Sequence, residues 1–169
     1  QAKLLFDDLV MCGVEVNYLC RKMGSSVDKV EAVGSSTFLS KYAYFFDSFK
    51  LYRHLKNIDP DVVYHRNAGA YTAVCAYYCH KHGKKFVWNL AHDKDVTPVR
   101  LADMKNPLKF IDKLMLSYGI KRHQIIISQT REQQKLLREH YNILNSSLIP
   151  NYHPVPVLDK KARKVKKIC

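Results

Sequence analysis

Residues 58–93, IDPDVVYHRNAGAYTAVCAYYCHKHGKKFVWNLAHD, are the stretch of sequence that decides the fold. Two short apolar segments, residues 61–64 and 86–90, flank an Ala-, Tyr- and Cys-rich segment, residues 69–82, that has the length of a helix. Gly83 supplies a left-handed end for that helix. A strand, a helix and a second strand of these lengths predict a crossover unit with two parallel strands.

The same alternation of helix and strand is predicted upstream of this unit. A helix over residues 2–12 ends at Gly13, and a strand with a period of two follows over residues 14–20. A short strand at residues 29–33 and a helix over residues 42–57 complete the upstream half.

Downstream, a fourth helix is predicted by its two ends. Asn106 is an N-cap with proline at the first helical position, and Gly119 is a typical stop. The residues at helical spacing between these ends, which predict the buried stripe, are Leu108, Ile111, Leu114 or Met115, and Tyr118.

Two more apolar segments, residues 125–127 and 147–149, predict the last strands, and Thr130 with Gln133 predicts a capping box for the helix between them. Near-continuous apolar strands separated by helices of about ten to fifteen residues indicate a parallel sheet covered on both faces. The fold class predicted is therefore α/β, a Rossmann-like doubly wound parallel sheet.

Composition narrows the class of protein. The chain has 169 residues, 47% of them hydrophobic, so one packed domain is expected and disorder is excluded. Five cysteines, an odd number, favour reduced thiols over a disulfide framework. The sequence shows neither a signal-peptide pattern nor an apolar run of membrane-spanning length, which predicts a cytoplasmic protein.

In open parallel sheets, ligands bind beyond the carboxyl ends of the strands. His92 and Asp93 follow one strand, and an imidazole beside a carboxylate suits proton handling or the orientation of a hydroxyl. A loop-stabilising hydrogen bond is the alternative for this pair. Arg66 suits an anionic group or sugar hydroxyls, or else pairs with a neighbouring carboxylate. The other residues predicted at these strand ends are Asn67, Gly69, Ser128 and Arg131.

Four common kinds of site have no support. Cys75 and Cys79 share a helical face with His80 or His82 nearby, but no second half of a zinc site is evident, so packing thiols are favoured. Neither a glycine-rich dinucleotide motif nor a P-loop occurs, and no serine nucleophile elbow is found. We therefore expect no metal and no cofactor in this domain.

Two basic regions raise the question of anionic partners. The chain carries 28 Lys and Arg against 15 Asp and Glu, a formal charge of +13, and six of the basic residues lie in residues 160–167. This run could bind nucleic acid or lipid headgroups, but a solvated tail is favoured.

An aromatic stripe on the helix over residues 42–57, with lysine neighbours, could lie at an anionic membrane, although core packing is the commoner explanation. The stripe consists of Tyr42, Phe45, Phe46, Phe49 and Tyr52.

A family resemblance rests on ordered segments between residues 58 and 151. They are IDPDVVYHR at 58–66, GAYTAVCAYYCHKHG at 69–83, KFVWNLAHD at 85–93, IIISQT at 125–130 and LIPN at 148–151. In order and spacing they resemble the N-terminal domain of group 1 retaining glycosyltransferases of the GT-B fold. Residues 1–20 resemble the helix and strand after that family's first strand and glycine-rich loop, so a fragment is expected.

The resemblance implies two Rossmann-like domains facing a cleft. Residues 1–150 would be the acceptor-side domain without its first strand, and residues 151–169 the linker and the start of an absent donor-binding domain. It implies that His92 lies near the reacting carbon of the sugar, that Asp93 is the acid beside it, and that Arg66, Asn67 and Gly69 line the cleft. One departure is that Tyr152 and His153 follow the Ile-Pro-Asn segment where the family has glycine.

The implied reaction passes a sugar from a nucleotide diphosphate donor to an acceptor hydroxyl with retained configuration. The donor would be held mainly by the absent domain, and the acceptor would be a carbohydrate or glycolipid of surface polysaccharide or glycolipid synthesis. Contact with an anionic membrane, at its inner face, is left open. The alternative is a stand-alone basic α/β binding module for nucleic acid or another anionic partner.

Overall fold

A computed structural model describes residues 2–20, 30–32, 34, 43–66, 68–98 and 105–151. Five α-helices and six strands lie in these ranges. In chain order they are α1 (Ala2–Met11), β1 (Tyr18–Cys20), β2 (Val30–Ala32), α2 (Ala43–Ile58), β3 (Val62–Arg66), α3 (Ala70–His82), β4 (Lys85–Asn89), α4 (Pro107–Lys121), β5 (Ile125–Ser128), α5 (Arg131–Tyr141) and β6 (Ser147–Leu148), with a 3₁₀ turn at Asp93–Val96.

The strands form two parallel groups. A four-stranded sheet has the order β3-β4-β5-β6, and β1 pairs with β2. All the strand pairs are parallel, and the register places Tyr64 beside Val87 and Val87 beside Ile125. Helices α3, α4 and α5 each connect two neighbouring strands of the larger sheet. The predicted Rossmann-like α/β fold is therefore confirmed.

One face of the four-stranded sheet carries the core. Phe86, Trp88 and Ile126 project from this face and are essentially inaccessible to solvent. They form one cluster with residues from α2 to α5, so we call this side the covered face. The helix residues of the cluster are Leu51, Leu55, Cys75, Ala76, Tyr78, Cys79, Leu116, Ile120 and Leu137.

Local sequence signals explain where several helices begin and end. The Asn106 side chain accepts a hydrogen bond of 3.2 Å from the Lys109 N–H, as an N-cap does. Gly83 follows α3 with φ 67°, and Asn142 follows α5 with φ 53°. Both residues tolerate this left-handed conformation, which ends a helix by satisfying its last carbonyl groups.

The smaller strand pair is shorter than the sequence predicts. The strand expected over residues 14–20 forms only at Tyr18–Cys20. Its partner β2 pairs through three residues, so residues 14–17 have no ladder to join among the described residues. The Phe6 ring of α1 meets the Tyr18 ring edge-on at 6.4 Å, and Leu19 packs against the main core.

The prediction for α4 is wrong in its stop and in its buried stripe. Gly119 lies inside the helix, which continues to Lys121. A Cβ at Gly119 would lie 2.9 Å from the backbone carbon of Thr72, so this glycine allows α4 to approach α3 closely. Packing at that point buries Leu116 and leaves Ile111 and Leu114 exposed.

Two further predictions need correction. Thr130 accepts the expected hydrogen bond from the Gln133 N–H at 3.1 Å, but the Gln133 side chain accepts from the Gln129 N–H instead of closing the capping box. In the aromatic stripe, Tyr52 packs against the core as expected, but Phe49 is 67% exposed, so core packing does not explain Phe49. The side chains of Tyr42, Phe45 and Phe46 lie outside the described part of the structure.

Other predictions concern residues that the structure does not describe. These are Asn67, the basic run at residues 160–167, and the proposed start of a second domain at residues 152–169. Among the described residues, the structure contains no helix with the length and hydropathy needed to cross a bilayer.

Candidate functional site at the carboxyl edge of the sheet

The sheet brings three of the predicted segments to one edge. Strands β3, β4 and β5 are neighbours and parallel, so their carboxyl ends lie side by side. Arg66 is the last residue of β3 and is partly buried, whereas His92 and Asp93 follow β4 and are exposed. Arg131 opens α5 after β5 and is also exposed. The predicted clustering of these residues at one edge agrees with the strand order.

Gly69 has a backbone role at this edge. Its φ of 140° is a conformation that favours glycine, and it directly precedes α3. The first N–H of α3, that of Ala70, donates to the Asp112 carboxylate at 2.8 Å. This end of α3 therefore already receives a negative group from α4, which is what a helix N-terminus favours.

The loop that carries His92 is organised by Asp95, a residue to which the sequence analysis gives no role. The Asp95 carboxylate is buried and accepts hydrogen bonds of 2.9 Å from the N–H groups of Ala91 and His92. A loop-stabilising role was the alternative for the pair of His92 and Asp93. Asp95 and the N-cap residue His92 fill that role together as a capping box, whereas Asp93 faces solvent. An acidic residue three positions after His92 is the capping signal that could have identified it.

The end of β5 is more buried than its polar sequence suggests. Ser128 is inaccessible on the covered face, and its hydroxyl has no hydrogen-bond partner among the described residues. The Gln129 N–H donates to the Gln133 side chain at 2.7 Å, and Gln133 is 2% exposed. The roles predicted for Ser128 and Arg131 stay predictions.

An amide network links the strand ends. The Gln129 side chain donates to Asn89 at 3.5 Å and accepts from Asn151 at 2.5 Å. Asn89 in turn donates to the Tyr64 hydroxyl. None of these four residues was given a site role from the sequence, although Asn89 interrupts an apolar strand and Gln129 follows one directly. Amides carry both donors and acceptors, so the network gives this edge a surface suited to hydroxyl groups.

His65 lies one residue before Arg66 and has a different chemistry. It shares the covered face with its register neighbour Trp88. Desolvation by burial lowers the pKa of His65 from 6.5 to about 4. The imidazole of His65 is therefore neutral near pH 7.

The cysteines of α3 are packing residues, as the sequence analysis favours. Cys75 and Cys79 are free thiols that are almost fully buried. Burial raises the pKa of Cys75, and it raises the pKa of Cys79 to about 11. Within the described ranges, no three His, Cys, Asp or Glu side chains are grouped so that they could hold a metal ion.

A scan against protein-family models finds no match to this chain, and a search of curated proteins finds none either.

Proposed function

We propose that this chain is the acceptor-binding half of a retaining glycosyltransferase that uses a nucleotide-sugar donor. The observation that carries the proposal is the position of Arg66, His92 and Asp93 at the ends of adjacent parallel strands, beside an amide network. Parallel sheets bind ligands at this edge. The ordered motifs between residues 58 and 151 that resemble group 1 glycosyltransferases add support.

Each side chain has a defined task in this proposal. Arg66 donates hydrogen bonds to acceptor hydroxyls or to an anionic group of the acceptor. His92, exposed and held through its backbone by Asp95, orients the reacting hydroxyl with Asp93 beside it. Arg131 is the first residue of α5. The N-terminus of a helix favours a negatively charged group, as the Arg131 cation does.

The donor belongs mainly to a second domain in this proposal, with the linker at residues 151–169. The acceptor would be a carbohydrate or glycolipid of surface polysaccharide or glycolipid synthesis, and the reaction would take place in the cytoplasm at the inner membrane face. The resemblance and the chain's positive charge support this location.

Carbohydrate binding is the first test. Saturation-transfer NMR with a panel of alkyl glycosides would measure acceptor-type binding to this chain. We expect Arg66→Ala and His92→Ala to weaken binding about tenfold, since one charged hydrogen bond contributes about 1.5–3 kcal/mol. Arg138→Ala and His140→Ala are matched controls, because both residues are exposed in the last turn of α5. Equal losses in the two pairs would contradict the proposed site.

Sugar transfer and DNA binding test the division of labour and the alternative. This chain alone is expected to bind nucleotide sugars poorly and to transfer no sugar; transfer by the chain alone would refute the division between two domains.

Tight binding to generic duplex DNA that falls steeply with added salt would instead favour a nucleic-acid-binding module.

A further inference from the structure

An apolar groove runs over the outer surface of three helices. It lies between α2, α3 and α4 and has a volume of about 820 Å³. That volume is within the roughly 300–1,000 Å³ of small-molecule sites. The lining side chains that matter here are Phe49, Tyr52, Tyr77, Lys81, Leu114 and Tyr118.

The groove holds large apolar side chains that the core does not use. Phe49, Leu114 and Tyr77 are 67%, 47% and 43% exposed, and each comes from a different helix. Helix α2 contributes Leu51 and Leu55 to the core instead. A contiguous exposed apolar patch of this kind marks a binding surface more often than scattered single residues do.

The charges at the groove are positive. Lys81 lines it, with its ammonium 5.7 Å from the centre of the Tyr77 ring. The Arg122 guanidinium lies 4.0 Å from the centre of the Tyr118 ring. None of the ten lining residues is acidic. Tyr52 and Tyr77 raise the pKa of Lys81, so its positive charge is maintained at neutral pH.

We propose that this groove is a docking site for an anionic phospholipid at a bilayer surface. The acyl chain would occupy the space between Phe49, Leu114 and Tyr118, and the headgroup phosphate would pair with Lys81. Aromatic side chains beside cations are the usual composition of a surface that lies on an anionic membrane. The site is distinct from the carboxyl edge of the sheet, so it does not depend on the transferase proposal.

Charge favours a membrane over a second copy of the chain. In a two-fold dimer the same patch meets itself, so the Lys81 and Arg122 of each copy would approach those of the other. Each copy also carries a formal charge of +13. Like charges brought together at an interface oppose association. An anionic bilayer, in contrast, attracts both the cations at the groove and the chain as a whole.

The experiment is co-sedimentation of the full chain with phosphatidylcholine vesicles, with and without phosphatidylglycerol. We expect binding only to the anionic vesicles. Phe49→Ala should reduce the partition coefficient about tenfold, because it removes an aromatic ring from the lipid contact. Lys81→Gln should reduce it about fivefold, as a lysine near an anionic surface does.

Two control variants distinguish binding through the groove from non-specific hydrophobic binding and from the effect of net charge alone. Leu144→Ala removes an apolar side chain that is 65% exposed elsewhere. Lys135→Gln makes the same change in net charge as Lys81→Gln on an exposed side chain of α5. Both controls should change the partition coefficient by less than about twofold.

Three results would overturn the proposal. One is a failure of the unaltered chain to bind the anionic vesicles. Another is that Phe49→Ala and Lys81→Gln lower the partition coefficient no more than their controls do. The binding would then be due to charge elsewhere in the chain. The third is a dimer, seen by sedimentation equilibrium, that Phe49→Ala dissociates, since this would make a second copy the occupant.

Discussion

The two faces of the four-stranded sheet differ although they are built from the same strands. On the covered face, Trp88 and Ile126 are 0% and 1% exposed. On the opposite face, which we call the open face, Val62, Tyr64 and Ile125 are 50%, 41% and 43% exposed. Helices α2 to α5 contribute their apolar residues to the covered face.

This contrast shows what an apolar strand can and cannot predict. Successive side chains of a strand point to opposite faces, so Ile125 and Ile126 differ in burial although they are adjacent and identical. A continuous apolar run predicts that both faces are covered. Among the described residues, burial this deep is found only on one face, because the helices between β3 and β6 all contribute to one core.

Substitution of the adjacent isoleucines should give the largest difference. Ile126→Ala should lower the free energy of unfolding by about 2–5 kcal/mol, because it leaves a cavity in the core. Ile125→Ala should lower it by less than about 1 kcal/mol, because its side chain already contacts solvent. Urea denaturation of both variants measures the difference. Similar losses would mean that the open face is covered in solution.

A histidine on the covered face should make stability depend on pH. His65 has a pKa of about 4 in the folded chain against 6.5 when unfolded, so the unfolded chain binds the proton more tightly between these values. Stability should therefore fall as pH drops through 6.5 and level off near pH 4. Between pH 7 and pH 5 the loss should be about 2 kcal/mol.

Urea denaturation at pH 7 and pH 5 tests this expectation. His65→Gln should remove most of the pH dependence, because glutamine does not titrate. His140→Gln is the control, since His140 is exposed at the end of α5 and should leave the dependence in place. If His65→Gln unfolds with the unaltered pH profile, another group accounts for the acid sensitivity.

The sequence predicts the parts of the fold that local chemistry decides. Asn106 caps α4, and Gly83 ends α3, because each needs only a backbone conformation or one side-chain hydrogen bond. Gly119 was misinterpreted as a stop because its actual reason, the close approach to Thr72, involves residues 47 positions apart. Helical periodicity shows that Phe49 belongs to an apolar stripe, but it does not show what the stripe faces. The stripe was therefore assigned to the core.

The candidate site shows the same limit. The strand-end rule predicts the edge that carries Arg66 and His92, since it follows from the parallel topology. It does not predict that Asp95, instead of Asp93, holds the loop. The amide network of Asn89, Gln129 and Asn151 joins three separate strand ends, so it becomes visible only with the strand order.

The smallest expected effect separates two adjacent glutamines of α5. Gln133→Ala should lower the free energy of unfolding by about 1–2 kcal/mol, because it leaves the buried Gln129 N–H without its acceptor. Gln134 donates to the Ser146 carbonyl at 2.9 Å in a more exposed position, so water can replace that bond and Gln134→Ala should lower it by less than about 0.5 kcal/mol. Chemical denaturation of both variants measures the two values. An equal loss for the two variants would show that the polar groups at the carboxyl end of β5 are not protected from water as the buried position of Gln129 and Gln133 predicts.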